Sequence, residues 1–364
     1  MTDVVRPDEA ARVAGMDEAV SLDELRLAAR NHAMPLEALR YDVTPPGLHY
    51  LLVHYDIPFV DPATWRLSLS GHVRDPLSLS LADLRARPAS SRTVTLECAG
   101  NGRARLLPRP VSQPWLDEAV GTAEWTGCSL SSLLAEAGVL DGAVDVAFTG
   151  HDHGTERGVE QDYTRALPVG EASSPDVLLA YEMNGAPLPP QHGAPVRLIV
   201  PGWYGMAHVK WLRSIAVLAS RFTGFQNEVA YRVRSSVDDP GVPVSRILPR
   251  ALVVPPGFPD FMTRRRVLDA GPVALFGRAW SGRAPVTGVS VSVDDGLTWT
   301  AASLGATGSP FAWRSWTYTW DALPGEYTLC VRAADAEGEQ PVAQPWNMQG
   351  MANNMPQRVP VTVR

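Results

Sequence analysis

Residues 181–212, YEMNGAPLPPQHGAPVRLIVPGWYGMAHVKWL, set two imidazoles, a guanidinium and an ammonium beside a Pro-Gly turn. The apolar run 196–200 reads as a short strand, and Pro201-Gly202 ends it. His192, Arg197, His208 and Lys210 therefore lie around turns. Backbone turns, imidazoles and mixed cations suit a phosphate joined to a hydrogen-bonding heterocycle. Lys and Arg total 32, yet Lys210 is the single lysine. Arginine serves wherever a positive charge suffices, so the exception marks a place for a compact ammonium rather than a planar guanidinium.

Upstream, residues 93–105, TVTLECAGNGRAR, form an apolar strand ending in Cys-Ala-Gly-Asn-Gly. Cys98 falls at the strand end, and the glycines allow backbone to approach a ligand closely. Arg103, Arg105 and Arg109 follow, and cationic neighbours favour a thiolate. A thiolate is a nucleophile or a soft metal ligand. A buried structural cysteine is the alternative, and the Gly-Asn-Gly-Arg context argues against it. Gly150-His-Asp-His-Gly154 leaves three readings open: a zinc or di-metal site, a polar loop, or a loop contacting an anion or pterin. No G-x-S-x-G or Walker motif occurs, so serine hydrolysis and nucleotide binding have no positive support.

Further outward, three regions separate. Residues 1–45 read as a helical leader, with Ser21-Leu-Asp-Glu24 as a capping box before an apolar periodic run through Leu36. Residues 46–245 alternate short strands (65–69, 93–97, 144–149, 196–200) with short helices such as 130–137, a mixed α+β pattern rather than regular βαβ winding. Residues 239–258 are dense in proline and read as a linker. From 246 to 364 the pattern changes to short alternating runs at 273–280, 288–293, 298–304, 314–320, 327–333 and 359–363. Asp294-Asp295-Gly296 is a hairpin turn signal among them. That predicts an all-β sandwich of immunoglobulin type. All eight histidines lie at or before His208, so the chemistry belongs to the first region.

On these residues the sequence resembles the sulfite oxidase family of molybdenum enzymes, which includes assimilatory nitrate reductases. LECAGN is similar to the family's metal-ligating cysteine motif. YEMNG-x-PLP-x-x-HG-x-PVR-x-x-x-PG-x-x-G-x-x-x-VKWL is highly specific, and SVDDGLTW and QPWNMQG resemble two segments of its second domain. The resemblance covers roughly residues 46–364 and implies a molybdopterin-binding domain followed by an immunoglobulin-like dimerisation domain. It implies that Cys98 binds molybdenum and that Asp152, His192, Arg197 and Lys210 contact molybdopterin and its phosphate. His208 would occupy a neighbouring cofactor position, and Arg103 and Trp115 would line the substrate anion pocket. Three positions depart from the pattern: His54 and Gln349 stand where the family has arginine, and Phe222 stands where it has tyrosine. Sulfite, held by several guanidiniums through charge-assisted bonds, is therefore expected to bind weakly, with a partly charged His54 helping Arg103.

The expected activity is oxygen-atom transfer at a molybdenum centre. The alternatives are a genuine sulfite oxidase, a sulfoxide or N-oxide reductase, a non-catalytic carrier of the cofactor, and a zinc hydrolase should the resemblance mislead. No His-Pro-Gly-Gly stretch is seen, which predicts no haem domain and a separate electron acceptor such as a cytochrome. Aromatic residues including Trp313, Trp316 and Trp320 predict a homodimer interface in the second domain. The net charge of −7 argues against a nucleic-acid partner. No apolar stretch is long enough for a membrane span. The N-terminus shows no secretory pattern, which predicts a cytoplasmic protein, or a periplasmic one if a leader has been removed. Three widely spaced cysteines make no disulfide framework.

Overall fold

The computed structural model describes residues 12–364. Part of the expected helical leader, residues 1–11, lies outside this range. The capping box forms: Glu24 N–H donates to Ser21 Oγ at 3.2 Å, and Ser21 N–H donates to the Glu24 carboxylate at 2.8 Å. The helix Leu22–Arg30 follows. It stops at Arg30, short of the predicted run to Leu36. Asn31 turns extended, its amide donates back to Leu27 O at 3.0 Å, and its Oδ1 accepts from Val53 N–H at 2.7 Å. Beyond Pro35 only a 3-10 turn, Leu36–Arg40, remains. The leader is thus stitched to the rest of the chain rather than being one helix.

Two sheets build the first region. One orders Leu77–Ser80, Arg66–Gly71, Leu212–Leu218, Asp145–Glu156 and Val159–Pro168. Only its Arg66–Gly71/Leu212–Leu218 pair is parallel. The other joins Ala89–Glu97, Val120–Ser129 and Leu178–Met183, with Ala186–Pro187 and Arg197–Ile199 added to the last of these. Arg66–Gly71 buries alternate residues, as period-two side chains require, whereas Leu178–Met183 and Arg197–Ile199 are buried almost throughout; Leu67 and Leu69 of the first sheet meet Leu179 and Leu198 of the second in one core. The helix Leu130–Ala137 forms where the sequence predicts it and buries Leu130, Leu133, Leu134 and Ala137. The other helices of the region, Leu81–Arg85 and Val169–Ala172, are about one turn long, so the region is mostly β; its connections run through irregular backbone and 3-10 turns.

The second region is a sandwich of two sheets. A four-stranded sheet runs Arg250–Val253, Gly271–Trp280, Arg314–Ala322 and Ser303–Leu304. It faces a larger sheet centred on Gly288–Ser292, Gly325–Asp335 and Gln357–Val363. Leu275, Trp316 and Trp320 from one sheet pack on Val289, Val331 and Val361 from the other. The proline-dense stretch 239–258 is not a free linker, because Arg250–Val253 pairs with Gly271–Trp280 as an edge strand. Asp295 and Gly296 both adopt positive φ, 58° and 85°, but their turn lies within a longer loop between Gly288–Ser292 and Thr300–Ala301.

Trp313, Trp316 and Trp320 are buried within the chain at 6%, 1% and 6% exposure. They fill cores and do not form an exposed aromatic patch, which corrects the reason for expecting the dimer interface there. Trp280 and Trp313 join the core of the first region. Trp313 Nε1–H donates to Asp42 O at 2.8 Å, and Arg278 Nε–H donates to Leu39 O at 2.8 Å. The two regions and the leader therefore share one continuous interior.

Candidate active site

Cys98 follows the strand Ala89–Glu97, and its N–H donates to Ala119 O at 2.9 Å. The chain then folds back tightly: Asn101 N–H donates to Cys98 O, and Gly102, at φ 86°, opens the 3-10 turn Arg103–Arg105. A Cβ on Gly100 would come within 2.5 Å of Arg103 Nη2, so the glycine is what lets that guanidinium lie over the turn. Arg103 is buried, without a carboxylate partner among the described residues. Its Nε–H donates to Gln349 O at 2.8 Å and an Nη1–H to Gln113 O at 3.2 Å. Arg105 and Arg109 turn elsewhere, to Asp117 and Glu24. Only Arg103 of the three expected cations faces the thiol. Burial pushes the Cys98 thiol up, and Arg103, the Gly100 backbone and the Trp115 indole offset this only in part. The uncomplexed thiol is thus protonated, contrary to the sequence expectation. A metal ion is the group that would displace that proton.

Beneath Cys98, Glu97 is wholly buried. Asn101 Nδ2 and Trp280 Nε1 donate to its two oxygens at 3.0 and 2.8 Å. Arg250 Nε lies 3.0 Å from the same carboxylate, within ion-pairing distance but not aligned for a hydrogen bond. Asp117 stands 3.6 Å from Arg250 Nη1. Trp280 and Arg250 come from the second region, so the Cys98 strand is fixed from both regions.

Two chambers meet at Cys98. The inner one is the narrower, about 60 Å³, and is lined by His49, Tyr50, Cys98, Asp152, Tyr163, His192, Arg197, His208, Lys210 and Tyr231. The outer one, about 420 Å³, is lined by Arg103, Gln113, Trp115, Glu156, Arg157, Gln349 and several apolar side chains. Leu52, His54, Cys98 and Tyr231 belong to both and form the neck.

The inner chamber brings together the residues expected to hold a cofactor. In Asp145–Glu156 the pairing shifts register between Thr149 and His153, and this irregularity aims Asp152 inward. His153 faces outward to Asp162 and Glu160. Among the described residues no three His, Cys, Asp or Glu side chains gather as metal ligands, so Gly150–Gly154 is not a zinc cluster. Burial raises the Asp152 carboxyl and lowers the Lys210 ammonium, each drawn back by the other's charge. Lys210 Nζ donates to Leu52 O at 2.7 Å and sits 4.3 Å from the Trp211 ring centroid. Arg197 donates to His192 O at 3.0 Å and His208 O at 3.2 Å, with its guanidinium over Trp125. His208 differs from expectation. Its Nδ1 accepts from Val200 N–H at 3.1 Å and its Nε2 bonds Trp203 O at 3.0 Å. Both ring nitrogens are spent on the turn, so His208 shapes the chamber and offers no hydrogen bond to a ligand.

These residues fit a molybdopterin. His49 Nε2, Asp152 Oδ1 and Arg197 Nε are buried without a partner among the described residues. An unsatisfied buried polar group costs about 1–3 kcal/mol, so the chamber is built for a polar heterocycle and a phosphate. Burial holds His49 and His192 neutral, at about 4 and about 2, and each therefore keeps one donor and one acceptor. His49, which sequence reasoning missed, lies in HYLLVHY ahead of any recognisable motif. Its unpartnered Nε2 and a T-shaped contact with His192, 5.5 Å between centroids, mark it in the folded chain.

Arg103, Trp115, His54 and Gln349 all line the outer chamber. Phe222 does not. It lines neither chamber, and its N–H is bonded to Asp145 at the opposite end of the strand that carries Asp152. The tyrosine at the neck is Tyr231, whose hydroxyl shares a 2.7 Å hydrogen bond with His54 Nε2. Phe222 lies nine residues before Tyr231 and does not reach the neck. His54 is also not partly charged, because burial, with Lys210 and Arg103 adding to it, pushes it down to about 3.

Comparison with known proteins agrees with this geometry. Residues 54–226 match the oxidoreductase molybdopterin binding domain and residues 259–364 the Mo-co oxidoreductase dimerisation domain. Sulfite oxidase of Gallus gallus is 37% identical over 341 residues, spanning 85% of this chain and 71% of that protein. Mitochondrial sulfite oxidase of Mus musculus is 36% identical over 345 residues, spanning 88% of this chain; the match covers 62% of that relative's length. The crystal structure of the sulfane dehydrogenase SoxCD from Paracoccus pantotrophus superposes with a TM-score of 0.80 at 25% identity, covering 98% of this chain and 90% of that one. The fold and the Cys98 site define a molybdopterin-dependent oxidoreductase with a molybdenum–molybdopterin cofactor. The chain belongs to the sulfite oxidase family.

Proposed function

We propose that this protein transfers an oxygen atom to or from a small substrate in the outer chamber, and that bare sulfite is a disfavoured substrate. When bound, the molybdenum cofactor supplies a two-electron redox centre for oxygen-atom transfer. Cys98 would hold the metal, and His49, Asp152, His192, Arg197 and Lys210 would hold the pterin and its phosphate. Arg103 binds the anionic part of the substrate, the Tyr231 hydroxyl offers it a hydrogen bond, and Trp115 closes the wall. Electrons leave to a separate acceptor, for which a cytochrome is suited. The Mo-co dimerisation family to which residues 259–364 belong supports a homodimer.

The observation that carries the reading is the neutral pair His54 and Gln349 at the outer chamber. Where the resemblance places two arginines, one imidazole is uncharged and one amide donates to Val229 O at 3.1 Å. Each lost charge-assisted bond is worth about 1.5–3 kcal/mol, so sulfite affinity falls roughly a hundredfold or more. A second reading, genuine sulfite oxidation, is favoured by Tyr231, which restores the hydroxyl that Phe222 lacks. Molybdenum analysis with sulfite-dependent dye reduction, on the parent and on His54→Arg, Gln349→Arg and their combination, decides between them. The first reading expects the double variant to gain sulfite turnover. Turnover by the parent at micromolar sulfite, unchanged in the double variant, establishes the second.

A further inference from the structure

The outer chamber holds a cation that the family resemblance does not assign. The strands Asp145–Glu156 and Val159–Pro168 are joined by a two-residue turn, Arg157-Gly158, with φ 50° and 76°. Successive positive φ values define a tight hairpin turn in which Asn-Gly is the preferred pair. Arginine there holds a left-handed backbone that its Cβ disfavours. Such local strain persists where the side chain is needed in a particular place. The Arg157 side chain lines the outer chamber together with Arg103 and Cys98.

No ion pair or hydrogen bond to the Arg157 guanidinium is found among the described residues. The neighbouring Glu156 also lines the chamber, but its carboxylate accepts from Gln226 Nε2 at 3.0 Å and makes no ion pair with Arg157. Arg12, the third guanidinium of the lining, is paired with Glu18. Arg157 is half-buried; burial lowers its guanidinium, the Glu156 charge offsets this in part, and its own charge reaches Arg103, whose protonation it opposes. Two like charges facing one cavity, neither ion-paired among the described residues, repel each other, and an anion between them relieves both.

We propose that Arg157 is a second anion-binding residue of the substrate chamber, supplying from the hairpin tip the charge missing at His54 and Gln349. The inference rests on the anion-chamber reading given above and narrows its substrate class. The chamber's 420 Å³ exceeds the needs of a four- or five-atom oxyanion, and Leu27, Val53, Pro110, Val111 and Met351 give it apolar walls. The ligand selected is an oxyanion bearing an apolar substituent, with its charge between Arg103 and Arg157 and its substituent against those walls.

Titration calorimetry on the holoprotein, with propane-1-sulfonate and inorganic sulfate as non-oxidisable probes, tests this. The parent should bind propane-1-sulfonate more tightly than sulfate. Arg157→Asn should weaken that binding about tenfold, the effect of one charge-assisted hydrogen bond, and Arg157→Lys should lie nearer the parent. Asparagine suits the turn, so the thermal midpoint of Arg157→Asn should equal or exceed the parent's at equal molybdenum content. Unchanged binding in Arg157→Asn, with binding lost in Arg103→Gln, overturns the role of Arg157 and leaves the chamber reading standing. A lowered midpoint accompanying lost binding assigns Arg157 a structural role and also overturns it. Tighter sulfate than propane-1-sulfonate binding overturns the apolar substituent. If the parent binds neither probe, the anion-chamber reading falls, and this inference with it.

Discussion

Arg250→Met would remove the cation that sits between two buried carboxylates directly under Cys98. Arg250 is 1% exposed, 3.0 Å from Glu97 and 3.6 Å from Asp117. At an effective dielectric of about 20, a charge pair at this spacing attracts by roughly 5 kcal/mol. The desolvation of Arg250 itself, which methionine avoids, offsets part of that. Glu97 keeps its donors from Asn101 and Trp280, but Asp117 Oδ1 has no other partner among the described residues. Removing one member of a buried pair costs about 3–5 kcal/mol. The imperfect alignment of Arg250 with Glu97 places the expected loss near 3 kcal/mol. Denaturant unfolding of the cofactor-free protein measures it. A Glu97→Gln/Arg250→Met double variant should recover about 1–2 kcal/mol of the summed single losses, because neither uncompensated charge remains on that pair. Because Glu97 directly precedes Cys98, molybdenum retention should fall in Arg250→Met and return in part in the double variant. A loss below about 1 kcal/mol, or strict additivity, would refute the assignment of this ion pair as the brace between the two regions.

Cys98→Ser should lose the thiolate-to-metal absorption and nearly all turnover while circular dichroism stays that of the parent; full activity would sink the metal assignment. The cofactor-free protein should lose stability in acid. Burial holds His49, His54, His192 and His208 at about 4, 3, 2 and 3, below the ordinary value of 6.5. Between those values and 6.5 the unfolded chain binds more protons. The histidine contribution to stability is therefore complete above about pH 6.5 and falls below it, by up to about 1.4 kcal/mol per pH unit for each histidine; a thermal midpoint flat from pH 7 to 5 would contradict this. Trp316→Ala should destabilise the second region by about 3–5 kcal/mol through loss of core packing, and should leave the oligomeric state unchanged where the variant is folded. Light scattering should give twice the 39.4 kDa chain mass, and a monomer at micromolar concentration would count against the homodimer.

Local pattern alone placed much of this molecule. The capping box at Ser21, the helix 130–137, most strands of the sandwich and the Cys98 turn depend on residues close in sequence, so periodicity and turn chemistry reveal them. His192, Arg197 and Lys210 of the inner chamber were legible because they are packed into one dense segment, 181–212, with Cys98 marked by its glycines. What depends on distant contacts was not legible. The end of the first helix is set by Asn31 reaching Val53, and the edge strand at 250–253 by a partner at 277–280. Whether Trp313, Trp316 and Trp320 face solvent or core is decided by the opposing sheet, since a tryptophan in an alternating strand fits either face. The neutrality of His54 and the choice of Tyr231 over Phe222 follow from which loops close over the neck. The place of Arg157 in the outer chamber follows from a hairpin projecting into a cavity assembled by both regions. Spacing along the chain carries residue type and local conformation; desolvation and three-dimensional charge arrangement exist only once the chain has folded.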